Sequence, residues 1–115
     1  MDIDIIISGE THMNNDFINT VEFGKALADE TRQKIMALCC CKQLSVNDIV
    51  AGLDHVSQST VSHHLSILRR ADLVVSERRG KQVLYTLNQE QLAEACCQVA
   101  DHFAPQYPIQ RECFD

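Results

Sequence analysis

The chain has 115 residues, 45% of them hydrophobic and 23% charged, with a net charge of -6 at pH 7. That length supports one domain with a core of its own and no need of disulfide staples. The apolar run "IIIS" near the start is far too short to span a bilayer and has neither the basic flank nor the long apolar stretch of a signal peptide.

A cytosolic chain is therefore expected, and its six cysteines are then thiols. They gather as "CCC" at 39–41 and "CC" at 96–97, with Cys113 alone, and no pair has the CxxC spacing of a zinc ribbon or a thioredoxin-type site. Such clusters suggest metal binding or redox sensing before a disulfide framework. The acidic total hides an uneven distribution. The balance is -6 over residues 1–30, +1 over 31–56, +3 over 57–86 and -4 over 87–115. Local field governs docking onto phosphates more than total charge does, so the basic internal segment keeps nucleic acid among the candidate partners.

In chain order, residues 1–15 have no helical period and read as a flexible N-terminal arm. From Asp16 to about Ala28 the period becomes helical, with Phe17, Val21, Gly24 and Leu27 on one face. "DETRQKIMALCCC" predicts a second helix with Asp29 as N-cap and Ile35, Leu38 and Cys39 turned inward. "SVND" opens a short third helix with a capping-box spacing of Ser45 and Asp48, ending near Gly52. Ser57 or Ser59 caps a fourth helix, "QSTVSHHLSILRRA", with an apolar stripe of Val61, Leu65 and Leu68. "LVVSERRGKQVLYTL" has two β-rich arms around Arg79 and Gly80, a hairpin signal. A fifth helix starts at "NQEQ", with Asn88 first, and stops before Pro105. The expected fold is thus mainly α with a small β-hairpin, one domain over residues 16–104 and a tail over 105–115.

Two short helices joined by a turn, the second rich in small polar groups, match a helix-turn-helix. Opposite its core stripe, the fourth helix carries Ser59, Ser62, His63, Ser66 and Arg70 at three- and four-residue steps, where a major groove offers base edges. Gln58 and Thr60 lie at its N-terminus. A merely solvated face is the competing reading. The basic hairpin tip with Arg78, Arg79 and Lys81 favours DNA, since a wing clamps flanking backbone or minor groove.

"ADETRQKIMALC", "LSVNDIVAGL", "SQSTVSHHLSILRRADLV" and "RRGKQVLYTL", most of residues 26–87, resemble the ArsR/SmtB family of metal- and metalloid-responsive winged-helix repressors. The resemblance implies a winged helix-turn-helix with five helices and a homodimer formed through the first and last of them. It also implies a recognition helix from about Ser59 to Ala71 in the major groove of double-stranded operator DNA, and loss of operator affinity on inducer binding. Asp72 stands where the family usually has Gly, and Asp tolerates the left-handed conformation better than most residues.

Inducer sites differ between members of the family. The arsenic site of the third helix would fall on Ser45, Asn47 and Val50, so its three cysteines are missing. Of the zinc positions on the last helix, matching Gln89, Gln91, His102 and Pro105, only His102 is a ligand type. The second-helix cysteine of persulfide-sensing members falls on Ala37 rather than Cys39. "EACCQ" with Cys113 looks like the layout of arsenic-responsive members with adjacent cysteines on the last helix. That makes Cys96, Cys97 and Cys113 the expected three-thiolate site for arsenite or antimonite, soft centres that take sulfur. Cys96 also lies on a stripe with Leu92, Val99 and Phe103, where it would pack as a small hydrophobe. Cys39, Cys40 and Cys41 offer packing for at least one thiol and a second thiol site for the others. The alternatives are a thiol-redox or persulfide-sensing repressor and a cadmium or lead sensor. A thiol enzyme fits poorly, because no redox-spaced pair or organic-cofactor motif is present.

Overall fold

The computed structural model describes residues 19–109. Among them run five helices and one hairpin: α1 (Thr20–Leu27), α2 (Glu30–Leu38), α3 (Val46–Ala51), α4 (Gln58–Arg70), β1 (Val74–Arg79), β2 (Gln82–Leu87) and α5 (Gln89–Phe103). The element order is the expected one, and no described helix is long and apolar enough to cross a membrane.

Each helix starts where a side chain can satisfy its orphan backbone donors. Asn19 accepts from Val21 and Glu22, Asp29 from Arg32, Ser57 from Thr60, and Asn88 from Gln91. Ser45 and Asp48 make the full reciprocal capping box of α3. Ser57, not Ser59, caps α4, so that helix begins one residue earlier than its family resemblance implied.

One apolar cluster holds these elements together. Val61, Leu65 and Leu68 of α4 are buried against Ile35, Met36 and Cys39 from the second helix and its C-cap, Ile49 of α3, and Leu73 and Val74 at the start of the hairpin. Phe23 and Ala26 bring in α1, and Ala95 brings in α5. Leu27 packs against this core as expected, but the rest of the expected face of α1 is corrected. Val21 is 63% exposed and Gly24 has open space around its α-carbon, because the helix turns its Phe23–Ala26 edge inward. Phe17 lies outside the described residues.

The hairpin is antiparallel with Val74 opposite Leu87 and Arg79 opposite Gln82. Its two-residue turn has Gly80 at φ +63° in the first position, as a II′ turn requires, and glycine reaches that region without a Cβ clash. The hairpin base is tied to the helices by paired backbone bonds between Leu44 and Tyr85, and by Leu87 N–H donating to the Cys39 carbonyl. Asp72 ends the turn after α4 with φ +60°, the left-handed conformation expected at that position. Its carbonyl accepts from the Asn88 side chain at 3.2 Å.

Arg32 fastens α2 to α4 and α1. Its guanidinium donates to the carbonyls of Ala26 and Lys25, and it stands 2.9 Å from His64 Nδ1. Arginine can only donate, so Nδ1 is the acceptor and a neutral His64 carries its proton on Nε2. Burial holds the His64 imidazole below its ordinary pKa, with Asp29 opposing that shift and Arg32 and His63 adding to it.

Asp72→Val, which places a branched side chain at positive φ, should cost about 1–2 kcal/mol. In thermal unfolding that is a drop of several degrees, whereas Asp72→Gly should leave the midpoint nearly unchanged. For His64, the folded pKa lies below the unfolded value. Its stabilisation is therefore complete above the unfolded pKa of about 6.5 and is lost as pH falls through the folded one. Thermal unfolding at about pH 7.5 and about pH 5.5 should show a smaller acid-induced loss for His64→Gln, which cannot titrate, than for the parent chain.

Candidate nucleic-acid interface and thiol clusters

The helix pair α3 and α4 packs through Ile49, Val61 and Leu65. With that stripe buried, the opposite side of α4 faces out. Gln58, Ser59, Thr60, Ser62, His63, Ser66 and Arg70 are all exposed. They are not equally free to act. Thr60 Oγ1 accepts from Ser57 Oγ at 3.0 Å and so belongs partly to the cap. Ser66 Oγ donates to the His63 carbonyl at 2.7 Å, and Gln58 donates to Asn47 of α3. Arg69 is exposed beside Arg70 and adds a cation that the sequence reading did not select. Arg70 also borders an open cleft of about 320 Å³ with Glu22, Lys25, Ala28, Arg32 and Ile67.

Arg78, Arg79 and Lys81 are exposed at the hairpin tip. Arg79 Nε lies 3.2 Å from Glu77, whose other oxygen accepts from Gln43 at 2.7 Å. The Gln43 bond, and then Arg79, hold the Glu77 carboxyl below its usual range. This side-chain chain links the wing to the loop before α3. Exposed pairs of this kind contribute little stability, and their effect is on where Arg79 sits. The link joins residues 34 positions apart, and no local spacing in the sequence marks it.

The thiols fall into two places. On α5, Cys97 is 1% exposed and Cys96 is exposed, the reverse of the expected arrangement. The core edge of this helix is Ala95, with Leu92 and Val99 partly buried beside it, so Cys96 falls on the open flank. Phe103, expected on the same stripe, is 71% exposed. Burial, and secondarily the neighbouring Cys97, raise the Cys96 pKa. Cys113 lies outside the described residues. His102 stands against Phe103 edge to face, with ring centroids 5.0 Å apart. Among the described residues, no group of three or more Cys, His, Asp or Glu is arranged to hold a metal ion.

At the end of α2, Cys39 is fully buried and burial pushes its thiol up to about 11, so it packs and stays protonated. Cys40 and Cys41 are different. Their sulfurs are 3.6 Å apart, and Gln89 Nε2 of α5 donates to both, at 3.0 Å and 3.3 Å. Sequence reasoning named these cysteines but had no means to find Gln89, which is 48 residues away.

Comparison with known proteins agrees with this architecture. Residues 29–76 match the family of bacterial regulatory proteins described as the arsR family. The chain is 41% identical over 81 residues to a transcriptional repressor SmtB homolog of Synechocystis sp., a match covering 70% of this chain and 61% of that protein. It is 36% identical to the arsenical resistance operon repressor of Bacillus subtilis, over 64% of this chain and 74% of that protein. The structure of reduced HlyU from Vibrio cholerae superimposes with a TM-score of 0.59 at 27% identity, covering 89% of this chain and 98% of that one. Helix order, hairpin and sequence likeness agree, and the chain belongs to the arsR family of bacterial regulatory proteins.

Proposed function

We propose that the chain is a cytoplasmic transcriptional repressor that binds operator DNA as a homodimer and releases it when trivalent arsenic or antimony is captured by cysteine thiolates. The observation that carries the DNA-binding part is the exposed polar row on α4, Gln58, Ser59, Ser62, His63 and Ser66, flanked by Arg69 and Arg70 and by the wing cations. Hydroxyl, imidazole and amide groups on one helix face suit base edges. The arginines and Lys81 suit the phosphates on either side. In a dimer formed through α1 and α5, two such helices address successive major grooves of a palindromic site. The exposed Val21 and Phe103 are apolar surface available to that contact.

Arsenic or antimony is the preferred inducer because Cys96 and Cys97 are adjacent on α5 and because the Bacillus subtilis relative is an arsenical resistance operon repressor. Trivalent centres of this type take three sulfurs in a pyramid, and Cys113 is the proposed third ligand. Exposed Cys96 would meet the inducer first. Buried Cys97 reaches the same centre only if α5 shifts, and that shift is the proposed means by which capture alters the dimer and weakens DNA binding. A thiol-redox repressor is the second reading, favoured by the close Cys40 and Cys41 sulfurs.

Arg79→Ala should weaken operator binding about fivefold without changing inducer affinity, since a backbone-clamping cation contributes on the order of 1 kcal/mol. Fluorescence anisotropy on upstream DNA checks this, and unchanged DNA affinity with altered arsenite affinity would contradict the wing assignment. Cys96→Ser should bind DNA normally and resist arsenite release. Release at the parent's arsenite concentration would remove Cys96 from the site.

A further inference from the structure

Adjacent cysteines do not ordinarily present their sulfurs to one point. Successive side chains point to opposite faces in a strand and are about 100° apart on a helix. Cys40 and Cys41 escape both patterns because the chain leaves α2 through its C-cap at Cys39 and then enters the left-handed region at Cys41, with φ +68°. A cysteine in that region is uncommon and carries backbone strain. Here the conformation brings the two sulfurs to 3.6 Å, with the Gln89 amide aimed at both. Cys40 is partly buried and Cys41 is exposed, so the pair is open to solvent on one side.

The separation also restricts the occupant. With metal–sulfur bonds of about 2.3 Å, a linear two-coordinate ion would need sulfurs about 4.6 Å apart. At 3.6 Å the two sulfurs subtend about 103° at a shared centre with bonds of that length, an angle suited to a pyramidal centre. Among the described residues no third Cys, His, Asp or Glu completes the group, so a centre that brings its own third substituent asks nothing further of them.

We propose that Cys40 and Cys41 form a second thiol site, distinct from that on α5, which binds a monosubstituted trivalent arsenical through both sulfurs. An arsenical R–As=O reacts with the two thiols to form two As–S bonds. The As–O bond breaks, the two thiol protons leave with the oxygen as one water, and arsenic stays trivalent with R as its third substituent. This site does not depend on the role proposed for Cys96 and Cys97.

Trypsin separates the two sites, because cleavage after Lys34, Lys42, Lys81 and Arg111 places Cys39 to Cys41 on peptide 35–42 and Cys96 and Cys97 on peptide 82–111. The reduced full-length chain is treated anaerobically with two equivalents of phenylarsine oxide, digested and analysed by mass spectrometry. The expected result is a phenylarsenic adduct on peptide 35–42, with or without a second on 82–111. It should disappear in Cys40→Ser and in Cys41→Ser, and persist in Cys96→Ser. An adduct confined to 82–111, or one that stays on 35–42 in both single variants, overturns the proposal. Absence of label from 82–111 counts against the α5 site alone.

Discussion

The burial of one face of α4 is the constraint on which the rest of the molecule depends. Val61 and Leu68 are fully buried and Leu65 nearly so, and residues three and four apart on a helix share a face. Each such side chain contributes about 1.5–3 kcal/mol when removed from water, enough to set the helix's rotation about its axis. Once that rotation is fixed, Ser59, Ser62, His63 and Ser66 have no other direction than outward. Leu73 and Val74, buried in the same cluster, then set where the hairpin leaves the core and so where Arg78, Arg79 and Lys81 stand. The exposed polar face of α4 and the hairpin tip are two consequences of one packing solution, and the Arg32 bonds to α1 and His64 brace it.

The same packing sorts the cysteines. Cys39 and Cys97 are closed off from water and behave as small apolar side chains, whereas Cys40, Cys41 and Cys96 keep access to solvent. A soft electrophile therefore meets one exposed thiol on α5 and a converging pair at the end of α2. Both places adjoin α5, since Gln89 is its first residue and bonds the Cys40 and Cys41 sulfurs. Thiol chemistry at either would act on the helix proposed to join the subunits.

Most of the fold is legible in the sequence because its signals are local. Asp29, Ser45 and Asn88 cap the helices that their spacing announces, Gly80 turns the hairpin, and Asp72 takes the left-handed position. The stripe of α4 is equally plain. The face of α1 is not, because both Val21 and Phe23 are apolar and only the tertiary partner decides which turns inward. On α5 the periodicity placed Cys96 inside, but the buried edge runs through Ala95, and Cys96 and Phe103 lie beyond it. Gln89 beside Cys40 and Cys41, and Gln43 beside Glu77, are contacts across 34 to 49 positions that no local pattern encodes.

Thiol capture of a trivalent metalloid is proposed to control DNA binding. Its most direct test is an anaerobic titration of the reduced protein, bound to its upstream DNA, with arsenite, following fluorescence anisotropy, with cadmium and a persulfide donor in parallel. Release at about one arsenite per subunit is the predicted result. Retention of the complex at saturating arsenite, with release by the persulfide donor alone, would contradict it and assign the switch to thiol oxidation chemistry.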